Sequence, residues 1–568
     1  MFTSLPKTAA DLLQWSWPQI EPYFQNLASR ELTTDTIVEW MTDWSRLREC
    51  TSEMYNRLYV ATTVNTADTE AERRFKTYLD EIFPSALAAE QEIKEKLLAS
   101  GLEIDGFEIP LRNMRTEDAL FRQANLPLLA KEHKLCTEYD KIAGAQTVTW
   151  QGEETTLAQL EPVYQNPDRD LRERAWRLAS ERQLADREAI DELWQRFLRL
   201  RLQLAANAGF ENDYRAYRWQ QLLRFAYTPT DCTHFHQAIE KVVVPAATRI
   251  YERRRQRLGV DTLRPWDLEM DPFGRPPLRP FADIAELETT ISAIFHRVDP
   301  QLGEYFDTMK QENLLDLENR KNKAPGAYCE TFHMVHRPFI FLNAVGLHDD
   351  VQTMLHEGGH AFHVFEANHL PYHHQLDVGM EFAEVASMSM ELLAMPYLTT
   401  DEGGFYTTGD AARARAKYLE DMLLFWPYMA VVDAFQHWIY ENAAAALDPA
   451  QCDAQWTTLW NRFMPGVDWS GLEQTMMTGW HRKLHIHQVP FYYVEYGLAQ
   501  LGAVQVWRNA LQDQAGAVAD YRRALALGGS APLPQLFQTA GAKFAFDAGT
   551  LKDTASLMEE TIAALDAE

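Results

Sequence analysis

The chain has 568 residues, of which 46% are hydrophobic, 12% aromatic and 24% charged. This length exceeds what one compact core usually holds, so we predict two lobes or domains, and the composition is that of a folded protein. The formal net charge of -28 excludes nucleic acid and anionic membranes as partners, because binding either of them requires a basic surface.

Helical periodicity dominates residues 1 to about 220 and predicts an almost entirely helical first half. The interruption QTVTWQGEETTLAQL predicts a hairpin around Gln151 and Gly152, and helices are predicted around 170 to 207, ended by Gly209. We place a boundary between residues 1–200 and 201–568. The later segment LGVDTLRPWDLEMDPFGRPPLRPF is rich in proline and glycine, which indicates a structured loop that could line a cleft.

The cysteines indicate a reducing compartment. The five cysteines are scattered, odd in number and without a CxxC pair, so we expect neither a disulfide framework nor a cysteine zinc site, and we expect the cytoplasm. The first twenty residues lack the pattern of a signal peptide, and the longest apolar run, LLFWPYMAVVDAF, is too short to span a bilayer. The sequence therefore predicts no targeting or membrane-spanning segment.

Two short strands are predicted in GAYCETFH and RPFIFLNAV, with Pro338 at a position that an edge strand tolerates. A small sheet therefore precedes the segment that follows. It either caps a core or offers an edge to which an extended peptide can hydrogen-bond.

The segment TMLHEGGHAFHVFE, residues 353 to 366, contains a candidate metal site. On a helix, His356 and His360 stand on one face one turn apart, so both imidazoles can reach one zinc ion. Glu357 lies about 100° around the helix from His356, where it can take a proton from metal-bound water without being a ligand. The alternative is a pair of core histidines.

Two glycines interrupt this predicted helix. Gly358 and Gly359 each cost a helix interior about 0.8 to 1 kcal/mol relative to alanine. We interpret them as clearing room for a substrate to approach the backbone.

A catalytic zinc site usually has three protein ligands and one open position. The segment VGMEFAEVASMSMELL offers Glu381, Glu384 and Glu391 on one apolar helix, and periodicity leaves all three open as the third ligand. The alternative for this helix is a solvated acidic surface.

The stretches HEGGHAFH and EFAEVASMSMELL together resemble the thimet oligopeptidase and oligoendopeptidase F family of zinc metallopeptidases. The blocks KAPGAYCETF, RPFIFLNAVGLHDDVQTMLHEGGHAFH and HIHQVPFYYVEYGLAQLGA extend the resemblance over roughly residues 200 to 550. It implies a mainly α, two-lobed fold with a small sheet beside the zinc-binding helix and a deep cleft. The lobes would be an N-terminal helical lobe, 1–200, and a catalytic lobe, 201–568.

The resemblance implies one zinc ion per chain, held by His356, His360 and Glu384, with Glu357 as general base. Glu384 is preferred because residues 382–387 match the family stretch F-x-E-x-x-S.

The resemblance also assigns a supporting role to Glu391, which matches a second family glutamate and would orient a histidine ligand through its other ring nitrogen. His363 shares the face of the two histidines and is assigned to that surrounding layer or to packing. We expect solvated or substrate-lining positions, with no metal, for His369, His373 and His374.

The block HIHQVPFYYVEY resembles the family segment that stabilises the oxyanion formed when water attacks a peptide carbonyl. The candidate donors are Tyr492, Tyr493 and Tyr496, with His485 the better-matched histidine and His487 the second choice. Phe491 and at least one of the tyrosines are expected in the core instead.

The implied activity is hydrolysis of internal bonds in short, unstructured peptides. The strand PFIFLN and the preceding loop resemble the family's substrate-binding edge, which points to Gly326, Ala327, Tyr328 and Phe341 as peptide contacts. The alternatives are a carboxy-terminal (di)peptidase, a peptide-binding protein without catalysis, and a purely structural metal site. Short peptides are the expected partners, and the sequence does not predict the oligomeric state.

Overall fold

The computed structural model describes residues 2, 4–320, 322–324 and 326–566, with the side chains of all of these except residues 130, 133, 137, 140 and 158. Most described residues lie in α-helices, which confirms the prediction of a mainly α fold with small sheets. Among the described helices, none combines the length and the apolar composition that crossing a bilayer needs.

The helices up to the central sheet are, in chain order, α1 (Ala9–Leu12), α2 (Trp17–Ser29), α3 (Ile37–Val64), α4 (Thr69–Thr77), α5 (Phe83–Ser100), α6 (Glu108–Leu120), α7 (Leu126–Gly144), α8 (Glu161–Tyr164), α9 (Arg169–Leu184), α10 (Arg187–Asn207), α11 (Tyr214–Gln221), α12 (Pro229–Leu258), α13 (Ile284–Val298) and α14 (Pro300–Gln311). The remaining helices are α15 (His348–Ala367), α16 (Met380–Ala394), α17 (Thr408–Glu441), α18 (Ala443–Ala446), α19 (Pro449–Phe463), α20 (Glu473–Met477), α21 (Leu484–Gln488), α22 (Tyr493–Ala510), α23 (Gln514–Ala526), α24 (Leu533–Thr539) and α25 (Ala548–Leu565).

The described strands form a hairpin and a three-stranded sheet. The hairpin pairs β1 (Thr147–Trp150) with β2 (Glu153–Thr156), and Gln151 and Gly152 between them both have positive φ angles, as the predicted turn requires. The larger sheet has the order β3-β5-β4, where β3 is Leu315–Glu318, β4 is Tyr328–Phe332 and β5 is Arg337–Ala344.

The position of β5 corrects one expectation. The strand that contains Pro338 is the central strand, parallel to β3 and antiparallel to β4, so the expectation that it forms an edge is wrong. Pro338 is tolerated because it is the second residue of the strand, and the run that follows it is buried almost throughout because strands pair on both sides of it. β4 is an edge strand of this sheet.

Contacts divide the chain into two compact units. Unit 1 comprises residues 1–119, 278–414 and 499–544, and unit 2 comprises residues 120–277, 415–498 and 545–568. The boundaries of these units differ from the predicted boundary near residue 200, because segments that are far apart in sequence pack together within each unit. The division into lobes 1–200 and 201–568 stays a prediction.

The largest hydrophobic core of unit 1 surrounds α15. This helix packs against four helices, namely α13, α14, α16 and α23, and against the strands β4 and β5 of the sheet. The start of α15 is fixed by Asp350, whose carboxylate accepts the backbone N–H groups of Val345 and Leu347 at 2.8 Å each. Acidic residues in a first turn also interact favourably with the positive end of the helix dipole.

Unit 2 contains the hairpin and the helices predicted around 170 to 207, observed as α9 and α10 and followed by Gly209 with a φ of 92°. The proline-rich loop is anchored from within this unit by Asp267, which is fully buried. Its carboxylate accepts hydrogen bonds from Arg169 at 2.7 Å and from Arg172 at 2.9 Å. The loop is therefore structured, as the sequence predicts.

Candidate metal centre

Helix α15 presents the histidine pair of the sequence motif. The imidazole rings of His356 and His360 lie 5.0 Å apart between centroids, at an interplanar angle of 82°. Both rings project from one face of the helix because four residues complete slightly more than one turn. Each side chain is only about a quarter exposed.

The two glycines of the motif are required by helix packing, which corrects the interpretation that they admit a substrate. A Cβ on Gly358 would lie 2.5 Å from the ring of Phe295 in α13. A Cβ on Gly359 would lie 2.5 Å from the carbonyl oxygen of Ala386 and 2.6 Å from the Cα of Ser387, both in α16. The missing Cβ of Gly359 therefore lets α16 approach α15 backbone to backbone, and that of Gly358 makes room for the ring of Phe295, at the cost in helix propensity that glycine carries.

This close approach places Glu384 of α16 beside the histidines. One carboxylate oxygen, Oε2, lies 3.3 Å from Nε2 of His356 and 3.8 Å from Nε2 of His360. The hydroxyl of Ser387, one turn later on α16, donates to the same carboxylate oxygen at 3.0 Å. Although burial opposes ionisation, the contacts with the histidines lower the pKa of Glu384, so the carboxylate is anionic.

Glu391, two turns beyond Glu384, binds the other side of the first histidine. Its Oε1 lies 2.8 Å from Nδ1 of His356. A carboxylate can only accept hydrogen bonds, so Nδ1 carries a proton and donates the hydrogen bond. The other ring nitrogen, Nε2, is then directed at Glu384. Burial alone would lower the pKa of His356, but the bonds to Glu384 and Glu391 raise it well above its ordinary value.

Glu357 and His360 have shifted pKa values for the same reason, which is removal from water. Burial raises the pKa of Glu357 to about 7, opposed by the charge of His356, and its side chain is buried on α15. Burial lowers the pKa of His360 to about 4, so its imidazole is neutral at neutral pH. A buried carboxyl group that can be protonated near neutrality is suited to proton transfer.

The chemistry of this donor set fits zinc. The two imidazole nitrogens and one carboxylate oxygen of His356, His360 and Glu384 lie within 4.8 Å of one another. Bonds of about 2.0–2.1 Å in a tetrahedral site place ligand atoms about 3.3 Å apart, close to the separations observed between Glu384 and the two histidines. Glu381, which periodicity alone also allowed, does not belong to this group.

The other predicted histidines of unit 1 lie outside the donor group. His363 is buried, and burial lowers its pKa to about 4. The expectation of a solvated or substrate-lining position is wrong for His373, which is only 3% exposed and packs against His333 at 4.7 Å between ring centroids. His374 packs on Trp44 at 4.3 Å, and His369 is exposed.

The predicted histidine and tyrosine block lies in unit 2. The ring of His485 lies 5.0 to 6.1 Å from the rings of three tyrosines, namely Tyr492, Tyr493 and Tyr496. Burial and the charge of Lys483 lower the pKa of His485 to about 4, and Lys483 approaches the hydroxyl of Tyr493 at 3.2 Å. Burial also lowers the pKa of Lys483 to about 8.

His487 occupies a different environment from His485. It is fully buried among aromatic rings, stacking on Tyr139 at 4.6 Å and contacting Trp194 at 5.8 Å. A side chain with no exposed surface cannot contact a substrate. The packing of His487 therefore does not support its choice as the second candidate for the histidine that stabilises the oxyanion. Phe491 is fully buried, as expected, and Tyr493 is 5% exposed.

Three of the four predicted peptide-contact residues lie at or just before the start of β4. Gly326 and Ala327 are exposed, and the side-chain amide of Asn343 donates to the carbonyl of Gly326 at 3.0 Å. Tyr328 stacks on Phe341 with ring centroids 4.7 Å apart. Phe341 itself is fully buried on the central strand, so the expectation that its side chain contacts a peptide is wrong, and its ring packs against that of Tyr328 instead.

Two residues that shape this centre received no role from the sequence. Ser387 holds the carboxylate of Glu384, and the i to i+3 spacing of a glutamate and a serine was a signal that could have revealed it. Tyr521 of α23 donates its hydroxyl to the carbonyl of Ala386 at 2.8 Å, which fixes α16 at the point where Gly359 meets it. No local pattern connects Tyr521 with α16, because the two residues are 135 positions apart.

Comparisons with known proteins identify the family of the chain. The family model "Peptidase family M3" matches residues 163–556, and "Peptidase M3 N-terminal domain" matches residues 14–105. No curated protein sequence matches the chain. Three solved structures resemble it along nearly their whole length.

The first is described as an oligoendopeptidase F, with 30% identity, a TM-score of 0.87 and 97% of each chain covered. The second is Pz peptidase A with an inhibitor, with 29% identity, a TM-score of 0.86 and 98% of each chain covered. The third is described as an oligoendopeptidase F from Bacillus anthracis, with 25% identity, a TM-score of 0.82, and coverage of 100% of this chain and 98% of that one. The chain therefore belongs to peptidase family M3 and is a metalloendopeptidase.

Proposed function

We propose that this enzyme is a zinc-dependent oligoendopeptidase that hydrolyses internal bonds of short, unstructured peptides. The observation that carries the proposal is the group formed by His356, His360 and Glu384, with the buried Glu357 on the same helix as the two histidines. Short peptide substrates are supported by the names of the similar structures, oligoendopeptidase F and Pz peptidase A.

One zinc ion at this centre would be held by the two Nε2 atoms of His356 and His360 and by a carboxylate oxygen of Glu384. When bound, zinc supplies Lewis acidity, which lowers the pKa of a coordinated water molecule and polarises the scissile carbonyl group. Glu391 accepts the hydrogen bond that Nδ1–H of His356 donates, which fixes the orientation of the ring in which Nε2 faces the ion.

Glu357 acts as the general base and then as the general acid. Its carboxylate takes one proton from the attacking water as the new C–O bond forms, and then delivers that proton to the amine nitrogen as the C–N bond breaks. Burial supports both steps because the pKa of about 7 lets the group accept and release a proton at neutral pH.

The oxyanion is stabilised by hydrogen-bond donors from the aromatic block, for which we propose His485, Tyr492, Tyr493 and Tyr496. Their support is the clustering of the three tyrosines around His485 and the resemblance of the segment to the family pattern. Removal of one oxyanion donor typically reduces kcat by about 10²–10³-fold.

An extended peptide would pair with the backbone at the start of β4, near Gly326, Ala327 and Tyr328. Later in β4, the backbone carbonyl of Thr331 already accepts a hydrogen bond, because the side-chain amide of Asn56 in α3 donates to it at 2.8 Å. The proposed peptide contact is therefore confined to the residues that precede Thr331. Backbone pairing of this kind tolerates varied side chains and gives broad specificity.

The cytoplasm remains our proposal for the compartment. In the part of the chain that the structure describes, none of the five cysteines forms a disulfide bond. Reduced thiols are typical of cytosolic proteins.

The test measures cleavage of quenched-fluorescent peptides blocked at both ends, together with zinc content. We expect internal cleavage that is lost on chelation and restored by zinc, and we expect the Glu357→Gln variant to keep zinc but lose nearly all turnover. Wild-type turnover in Glu357→Gln would overturn the assignment of the base. Cleavage only of peptides with a free carboxy terminus would favour a carboxypeptidase, and zinc without cleavage would favour a structural site.

A further inference from the structure

A second cluster of potential metal ligands lies inside unit 2, between α12 and α17. It contains Cys232 and His236, four residues apart on α12, and Asp433 and His437, four residues apart on α17. Each helix thus presents two ligand-type side chains from one face, one turn apart. All four side chains are buried.

The geometry brings three donor atoms together. One atom each from Cys232, Asp433 and His437 lies within 4.8 Å of the other two. His236 lies beside them, with Nε2 at 2.8 Å from Oδ2 of Asp433. His236 is therefore placed to fix the orientation of the carboxylate, as residues around metal-ligating carboxylates do.

One oxygen of this cluster lacks a hydrogen-bond partner among the described residues. It is Oδ1 of Asp433, whose side chain is fully buried, whereas Nε2 of His437 lies 3.3 Å from the other oxygen, Oδ2, of the same carboxylate. A buried carboxylate oxygen or imidazole nitrogen without a partner costs about 1–3 kcal/mol, so such atoms are rare unless something else satisfies them. A cation between α12 and α17 would satisfy Oδ1 of Asp433.

We propose that Cys232, Asp433 and His437 bind a second metal ion, of the zinc type. Thiolate, imidazole and carboxylate together are a donor set that suits zinc, and the thiolate and carboxylate charges would balance a divalent ion. The aromatic rings of Trp219, Phe463 and Phe491 surround His236 and His437, so the site is dry, which strengthens the electrostatic attraction. The sequence expectation of no cysteine zinc site considered only CxxC pairs, whereas this cluster is formed by two distant helices.

Binding requires two proton movements. The thiol of Cys232 releases its proton to solvent when the metal–sulfur bond forms. His437 must bind through Nε2 and carry its proton on Nδ1, where Arg215 now donates from 3.3 Å. The guanidinium of Arg215 already pairs with Glu441 and is 24% exposed, so it can turn fully to Glu441 when Nδ1 becomes a donor.

The experiment replaces zinc by Co²⁺ in the whole chain and records the near-ultraviolet sulfur-to-cobalt charge-transfer band, with metal content measured in parallel. The centre on α15 and α16 has no sulfur ligand, so this band reports the second site alone. We expect wild-type protein to bind two cobalt ions and show the band. We expect His360→Ala to lose one ion and keep the band.

Variants identify the sulfur. Cys232→Ser is expected to lose the band and one ion, whereas Cys452→Ser, which alters another fully buried cysteine of unit 2, is expected to keep both. Asp433→Asn is expected to weaken cobalt binding at least tenfold, and it serves as the second variant if Cys232→Ser fails to fold. Absence of the band in wild-type protein, or its survival in Cys232→Ser, would overturn the proposal. Because the readout is not turnover, the outcome is independent of the proposed peptidase mechanism.

Discussion

Replacing Gly359 by alanine tests the finding that helix packing positions Glu384, the proposed third metal ligand. The added Cβ would stand 2.5 Å from the carbonyl oxygen of Ala386, whereas non-bonded heavy atoms normally approach to about 3.5 Å. The obstacle is a backbone atom, and the hydroxyl of Tyr521 donates a hydrogen bond to the same carbonyl oxygen. The substitution therefore forces α16 to retreat by about 1 Å, because no side chain can rotate out of the way.

Glu384 lies on the displaced segment of α16, so the metal centre should fail before the fold does. Overpacking costs about 1–3 kcal/mol, and the better helix propensity of alanine offsets about 1 kcal/mol of that cost. The free energy of unfolding should therefore fall by only about 2 kcal/mol or less. Ligand distances, however, tolerate about 0.2 Å, and a misplacement of about 1 Å can cost about 10²-fold in turnover.

The assay compares zinc affinity by chelator competition, peptide turnover and the unfolding midpoint in Gly359→Ala and wild-type protein. Gly409→Ala is the matched control, since a Cβ at this helical position meets nothing within 4 Å. We expect Gly409→Ala to retain zinc and turnover. Wild-type zinc affinity and turnover in Gly359→Ala would refute the packing argument.

The structure also predicts the effects of three further substitutions. Glu391→Ala should lower zinc affinity by about 10–100-fold, because His356 loses the acceptor at 2.8 Å from Nδ1, and chelator competition measures this loss. Tyr496→Phe should lower kcat by about 10²–10³-fold without changing zinc content, which steady-state kinetics on blocked peptides and metal analysis check together. Burial, assisted by the charge of Arg48, lowers the pKa of His333 to about 4, so the unfolded chain, with a value near 6.5, takes up the proton first as the pH falls. Stability therefore decreases from pH 6.5 towards pH 4, and His333→Gln should reduce this decrease by up to about 3 kcal/mol in denaturant titrations across that range.

Each of these changes has a control in the chain. Glu381→Ala alters a buried glutamate of α16 outside the donor group and should keep zinc affinity; if Glu381→Ala and Glu391→Ala behaved alike, the assignment of the acids would be wrong. Tyr428→Phe alters a tyrosine that packs on Tyr493 at 5.9 Å and should keep kcat, so equal losses in both tyrosine variants would indicate a packing effect. His369→Gln alters an exposed histidine and should leave the pH dependence of stability unchanged. An unaltered pH dependence in His333→Gln would contradict the burial argument.

The helices and the two proposed histidine ligands could be predicted from local patterns, whereas the residues that surround them could not. The spacing of His356 and His360 defines one helical face wherever that helix lies, and the hairpin at Gln151 and Gly152 follows from turn chemistry. The burial of His373 and the central position of β5 could not be read locally. Which strand is central depends on β3, a four-residue strand whose composition carries no strong strand signal.

The two glycines of α15 also show what local sequence patterns leave open. Their helix-propensity cost correctly indicated that something approaches the backbone, but the sequence does not state what approaches. Only the packing of α15 against α16 identifies it as the backbone at Ala386 and Ser387.

The sequence by itself therefore determined the helical class, the histidine pair with its neighbouring glutamate, and the set of three acidic candidates on α16. These follow from spacing along one helix, which is a property of the local chain. The tertiary structure decided that Glu384 faces both histidines, that Glu391 holds one of them, and that Cys232 meets Asp433 and His437. Those relations join separate helices, so they depend on which surfaces pack together and not on any periodicity within one element.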